Sequence, residues 1–159
     1  MIVMGVDPGL ARVGYGLIRA GKGQKEMLLC GCIETKPGDG TKTDRICRIF
    51  SELTGLMEAW KPDEVAIEQL FFSRNTSSAM QVAEVRGIIL LAAGRIGIPV
   101  TEYTPNQVKQ AVTGSGRADK RQVQEMIRRI LSLDRIPTPD DAADGLSIAL
   151  CHVHARGAG

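Results

Sequence analysis

The start of the chain constrains its fold more than any other segment. Ile2, Val3, Met4, Gly5 and Val6 form an unbroken run without a polar side chain, and the run ends at Asp7-Pro8-Gly9. A continuous apolar run of this length is the pattern of a strand buried on both faces, which belongs in an α/β sheet covered above and below. Pro8-Gly9 stops it abruptly. An acid at the end of such a run is costly unless a partner or a metal ion compensates it.

The rest of the chain alternates between the two structural periods. Residues 13–20 read as a second strand, Gly21-Lys22-Gly23 as a turn, and residues 26–35 as a third strand with Cys30 and Cys32 on one face. Three strands joined by short turns suggest an antiparallel meander. Ile46, Ile49, Phe50, Leu53, Leu56 and Met57 then recur at helical spacing, predicting a helix over residues 43–60 that Pro62 closes. Residues 64–68 form a short strand. Asn75 to Ser78 supply cap residues for a long helix over 78–95, and residues 100–103 a fifth strand. Thr104-Pro105 is an N-cap followed by proline at the first helical position, Gly114-Ser115-Gly116 is a break, and a basic helix spans about 118–131. Thr138-Pro139 opens a last helix with the same start. This order predicts an α/β domain with a mixed five-stranded sheet flanked by helices.

Composition excludes several alternatives. At 159 residues, the length of about one domain, the chain reads as a single unit over 1–159. With 43% hydrophobic residues and 20 Lys+Arg against 18 Asp+Glu, it is not globally disordered. The longest apolar run, Ile88 to Ala93, is far below the ~18 residues of a membrane span, and the N-terminus lacks the basic start of a signal peptide. Cys30, Cys32, Cys47 and Cys151 fit neither a disulfide scaffold nor a zinc site, so reduced thiols in a cytosol are the expectation. Cys151, His152 and His154 read as ordinary side chains late in a helix, since no second ligand cluster has metal-site spacing.

The chemistry lies in the acids. Asp7 ends the first strand and Glu68 the fourth, and ligands of open α/β sheets bind beyond the carboxyl ends of strands. If the two strands are parallel neighbours, these carboxylates converge. The last helix offers Asp140, Asp141 and Asp144. Asp141 and Asp144 share one face at i,i+3, ~5–6 Å apart at Cβ, and Asp140 with Asp144 at i,i+4 serves as well on geometry alone. An acid in the first helical turn also complements the macrodipole, which accounts for Asp140 without any site. Converging carboxylates persist where divalent cations neutralise them, and oxygen-only ligands select Mg²⁺ or Mn²⁺. Two such ions ~3.5–4 Å apart catalyse in-line phosphoryl displacement. The residues alone therefore read as a two-metal phosphodiesterase or phosphotransferase.

No P-loop motif is present. From Lys109 to Arg135 seven basic residues, among them Arg117, Lys120 and Arg121, face three acids, a local surplus of four that suits a polyanionic backbone. Phe71 and Phe72 follow the Glu68 strand and lead into Ser73-Arg74-Asn75; this apolar pair reads either as core or, for one ring, as a group that stacks on or wedges between bases. Phe71, Phe72, Arg74, Asn75, Lys109, Arg117, Lys120 and Arg121 are the candidate DNA contacts. The apolar content of residues 78–95 is too wide for one helical face and fits a helix covered by its own sheet and by a partner subunit.

Four motifs in order resemble the RuvC family of Holliday junction resolvases. They are Asp7-Pro8-Gly9 with Gly14-Tyr15-Gly16, then Ala66-Ile67-Glu68-Gln69-Leu70-Phe71, Gln107-Val108-Lys109-Gln110, and Asp141-Ala142-Ala143-Asp144. The resemblance runs from residue 1 to about 154 and implies a ribonuclease H-like fold, a homodimer, and Mg²⁺-dependent nicking of four-way DNA junctions by paired cuts. It further implies that Asp7, Glu68, Asp141 and Asp144 are the catalytic, metal-binding acids, which chooses Asp141 over Asp140. Lys109 and Lys120 match the family's lysines near the scissile phosphate, and Phe71 its base-contacting aromatic, with no role carried over for Phe72. A thymine-containing cleavage sequence and a branch-migration complex as partner follow from the same resemblance. Two rivals remain at this level. An actin-like ATPase shares a glycine-rich loop after Asp7 but needs two such domains, and a non-catalytic junction binder gains nothing from four repelling acids.

Overall fold

The computed structural model describes residues 1–70 and 76–157. Five strands lie in one sheet of order β3-β2-β1-β4-β5: β1 (Ile2–Asp7), β2 (Arg12–Gly21), β3 (Gln24–Glu34), β4 (Glu64–Glu68) and β5 (Val100–Tyr103). β1 pairs antiparallel with β2, and β2 with β3, so the meander forms. Lys22 (φ 52°) and Gly23 (φ 76°) both take left-handed conformations, the geometry of a tight two-residue hairpin turn. β1 pairs parallel with β4, Val6 opposite Ile67, and β4 with β5, Glu68 opposite Tyr103. The apolar start of the chain is thus the central strand, with Val3, Met4 and Val6 fully buried.

Among the described residues five helices cover the sheet: α1 (Lys42–Trp60), α2 (Thr76–Arg95), α3 (Pro105–Thr113), α4 (Lys120–Ile130) and α5 (Asp140–Ala155). A single 3₁₀ turn at Pro37–Asp39, not evident in the sequence pattern, precedes α1. On one face Ile49, Leu53 and Met57 of α1 and Val85 and Ile89 of α2 pack on Met4, Val6 and Leu17. On the other, Leu146, Ala149, Leu150 and Val153 of α5 and Ile127 of α4 pack on Val3 and Ile18. Ala66 meets Val108 of α3 together with Ile148 and Cys151 of α5. Among the described residues no helix is long and apolar enough to cross a membrane.

Local sequence sets the helix starts. Thr41, Thr104 and Asp119 each accept from the backbone N–H three residues on, and Asp44, Gln107 and Gln122 reach back to close the box. Asp119 therefore starts α4 at Lys120, two residues later than the apolar pattern implies. The last helix departs from expectation more clearly. Pro139 is not its first helical residue but its flanking one (φ −67°, ψ 173°), and Thr138 makes no cap. Ala142 N–H donates to the Pro139 carbonyl at 2.9 Å, and Asp140 and Asp141 supply the negative charge of the first turn.

Two helices have unusual surroundings. Eleven of the sixteen α5 residues are buried, so this helix is enclosed nearly all round. It lies directly on β1 and β2 because glycines face it. A Cβ on Gly5 would strike the Gly145 carbonyl and the Ala149 amide, and one on Gly14 the Asp141 carbonyl. By contrast α2 buries Val85, Ile89, Ala92 and Ala93 but leaves Met80 66% and Leu91 51% exposed, with Leu90, Ala83, Gly87 and Gly94 on the same open side.

Replacing Gly5 by Ala is expected to destabilise the fold by about 3 kcal/mol or more, because both colliding groups are backbone. Gly55→Ala, on the exposed side of α1 with nothing near its new methyl, is expected to stabilise by up to about 1 kcal/mol. Urea denaturation of the two variants checks the contrast; equal behaviour would show that α5 can shift away from β1.

Candidate active site

Asp7 and Glu68 end two adjacent parallel strands, Val6 and Ile67 being paired immediately before them. Side chains alternate along a strand, so Asp7 points to the same face as Gly5, the face on which α5 lies. The first turns of α5 arrive there with Asp141 and Asp144, one helical turn apart. Carboxylate oxygens of Asp7, Asp141 and Asp144 lie within 4.8 Å of one another. Glu68 stands outside that triad but lines the same 260 Å³ cavity with Asp7, Asp144, Lys109 and Lys120.

Burial and mutual repulsion raise the proton affinity of this cluster. Asp7 is pushed up to about 7, first by desolvation and then by the charges of Glu68, Asp144 and Asp141, with Lys120 opposing. Glu68 and Asp144 are held above their ordinary values, in each case mainly by burial. Lys109 tempers the rise at Glu68, and Lys120 that at Asp144. Burial pulls Lys120 down, but the Asp144, Asp140 and Asp141 carboxylates hold it above its usual range. Its ammonium sits 3.3 Å from Asp140 and 3.7 Å from Asp144.

Three close carboxylates with a fourth in the same cavity form an all-oxygen donor set, and burial together with their mutual repulsion raises the proton affinity of Asp7 to about 7. That is the chemistry of a site for a hard divalent cation. The residues fit Mg²⁺ or Mn²⁺.

Several functional contacts escape sequence reasoning. Arg12 at the start of β2 lies 3.3 Å from Asp141 and 3.9 Å from Glu34. Asp140, which the macrodipole alone accounts for, also holds Lys120 and accepts from Gln124 at 3.2 Å. Arg86 of α2 donates to the Glu68 carbonyl and to the Glu102 carboxylate, each at 2.7 Å. Arg117 and Arg121 line an open concavity on α4 together with Arg129. Phe71, Phe72, Arg74 and Asn75 lie outside the described residues.

The C-terminal Cys-His segment is structural. His152, fully buried, bridges the Tyr103 hydroxyl and the Glu64 carboxylate, each at 2.9 Å, and Arg156 closes on Glu64 at 2.7 Å. His154 meets the Ala111 carbonyl at 2.9 Å. These bonds brace α5 against β4, β5 and α3. The four cysteines are free thiols, and Cys30 and Cys32 share the face towards α5, as the strand period requires.

Residues 3–152 match the family described as crossover junction endodeoxyribonuclease RuvC. The protein of that name from Syntrophomonas wolfei is 49% identical over 155 residues, spanning 98% of this chain and 90% of its own. That from Rubrobacter xylanophilus is 50% identical over 155 residues, spanning 98% and 86%. Thermus thermophilus RuvC, solved in complex with a Holliday junction substrate, has a TM-score of 0.92 at 37% identity and covers 99% of this chain and 96% of that one. The yeast mitochondrial Holliday junction resolvase, at 13% identity and a TM-score of 0.65, is similar in fold alone. The architecture is the ribonuclease H-like resolvase fold.

The raised proton affinity of Asp7 predicts a pH dependence. Its folded value of about 7 exceeds the ordinary 3.8, so between these limits the folded protein holds a proton that the unfolded chain releases. The contribution of this group is most favourable below about pH 4 and is lost as pH rises to about 7. Asp7→Asn is therefore expected to be more stable than wild type at pH 8 without divalent metal, by on the order of a few kcal/mol, with the gap closing towards pH 4. Urea titrations across that range check it; a constant difference would contradict it.

Proposed function

The chain belongs to the RuvC family of crossover junction endodeoxyribonucleases, and on that premise we propose that Asp7, Glu68, Asp141 and Asp144 form its cleavage centre. The protein is a nuclease that resolves Holliday junctions. The observation that carries the assignment of the centre is the convergence of three carboxylates within 4.8 Å, in a cavity shared with Glu68 and two lysines. We read residues 1–159 as one nuclease domain acting in the cytoplasm, in recombination and repair.

Asp7, Asp141, Asp144 and Glu68 would hold two Mg²⁺ ions, for which Mn²⁺ substitutes. Such ions, when bound, would activate the attacking water and stabilise the leaving oxygen of an in-line displacement. Asp7, whose proton affinity is raised, would hold a cation as its carboxylate. Lys120, tethered to Asp140 and Asp144, and Lys109 on the Glu68 side direct two positive charges into the cavity. They neutralise charge that builds on the non-bridging oxygens of the scissile phosphate. Arg117 and Arg121, near Lys120, offer phosphate contacts along a duplex arm. Phe71 is the residue that would contact a base of the junction, with Arg74 and Asn75 as further candidate DNA contacts; Phe72 is a candidate with no role of its own.

A homodimer suits this reaction. A four-way junction has approximate two-fold symmetry, and an isologous dimer presents two equivalent sites for two symmetric nicks. The exposed apolar side of α2, with Met80, Leu90 and Leu91, is the surface that a second copy would cover. The branch-migration complex of the same pathway is the expected partner in the cell.

Incubated with a synthetic four-way junction and Mg²⁺, the protein is expected to make paired symmetric nicks. Asp7→Asn and Glu68→Gln are expected to lower the rate at least about 100-fold with junction binding retained, and Lys109→Ala or Lys120→Ala about 10–1000-fold. Wild-type protein that binds junctions of several sequences yet leaves them intact in Mg²⁺ and Mn²⁺ would falsify the assignment. Leu91→Asp is expected to convert a dimer into a folded monomer by sedimentation; an unchanged mass would place the interface elsewhere.

A further inference from the structure

Glu68 sits where β4 has lost its pairing with β1 but keeps it with β5. β1 pairs with β4 only as far as Ile67, and on the other side the Gln69 amide donates to the Tyr103 carbonyl at 2.7 Å. The Glu68 carbonyl is taken by a side chain instead. Arg86, on the fourth turn of α2 boundaries Thr76–Arg95, donates one guanidinium nitrogen to that carbonyl and the other to the Glu102 carboxylate of β5, each at 2.7 Å. Its side chain is only 13% exposed and its bond to the Glu68 carbonyl is partly buried, whereas the Glu102 carboxylate stays open to water.

We propose that Arg86 is a positioning residue for the reaction: it fixes the carboxyl end of β4, and with it the aim of the Glu68 carboxylate into the acid cavity. This inference rests on the reading of Glu68 as a metal ligand. The planar guanidinium spans two acceptors on adjacent strands at once, which an ammonium does not match. It holds the backbone of a ligand residue, so it acts on site geometry and not on the ligand's charge. Groups that orient metal ligands in this way typically contribute 10–100-fold to metal affinity or activity. Arg86 lies on the same helix as the exposed Met80 and Leu91, so one side chain ties that helix to the carboxyl end of β4.

The test uses full-length protein and reads Mn²⁺ binding by electron paramagnetic resonance without DNA, thermal melting, and kcat and KM on a junction. Arg86→Ala is expected to weaken Mn²⁺ binding and lower kcat by about 10–100-fold, with KM within twofold and the fold retained. Arg86→Lys should recover part of the loss, and Glu102→Gln, which keeps an acceptor for the guanidinium, should match wild type. If Arg86→Ala does not fold, Glu102→Ala carries the test, with a several-fold loss of Mn²⁺ affinity expected. Wild-type Mn²⁺ affinity in the folded Arg86→Ala, or in Glu102→Ala where that variant carries the test, while Glu68→Gln loses it, overturns the Arg86 inference alone. Unchanged Mn²⁺ affinity in Glu68→Gln overturns the ligand reading, and this inference with it.

Discussion

The close approach of α5 to β1 and β2 is the contact on which the site depends. Helices usually rest on a sheet through layers of side chains. Here Gly5 and Gly14 of the sheet and Gly145 of the helix leave no Cβ between the two backbones. The helix therefore reaches the strands at near-backbone contact, and its first turns arrive beside the end of β1. Asp141 and Asp144 meet Asp7 within 4.8 Å only because nothing bulkier holds the helix off. Burial of most of α5 and its tie through His152 to Tyr103 and Glu64 keep it there.

Electrostatics follows from that placement. Acids from a central strand and a buried helix cannot disperse their charge into water, so Asp7 rises to about 7. The fold answers with cations fixed from outside the cluster: Arg12 on Asp141, Lys120 on Asp144, Lys109 towards Glu68. The overall balance of 20 basic against 18 acidic residues is thus an average over an acidic centre and a basic surface. Such a centre has the donors to hold a divalent cation, and its surroundings suit a phosphate backbone.

Much of the architecture was legible because period and punctuation are local. The apolar run to Asp7, the helical stripe from Ile46 to Met57 and the Thr104-Pro105 cap all predict elements that form. The two Thr-Pro starts mark a limit. Gln107 folds back to close a box on Thr104, whereas the Asp141 side chain is engaged with Arg12, 3.3 Å away, and no box forms on Thr138. Periodicity left Asp140 and Asp141 equivalent on the helix; the family motif selects Asp141, and the direction from which α5 meets β1 brings that residue to Asp7. The contacts missed altogether, Arg12 with Asp141 and Arg86 with the Glu68 carbonyl, depend on strand order. Arg12 and Asp141 are 129 residues apart, and no spacing rule connects them.

Seating α5 against β1 would build a divalent-metal centre from Asp7, Asp141 and Asp144, with Glu68 at its edge. Anomalous diffraction from a crystal equilibrated with Mn²⁺ tests it most directly. Manganese coordinated by Asp7 together with an oxygen of Asp141 or Asp144 is the expected result. Manganese bound elsewhere, with the acid cluster empty under conditions in which the protein nicks junctions, would contradict it.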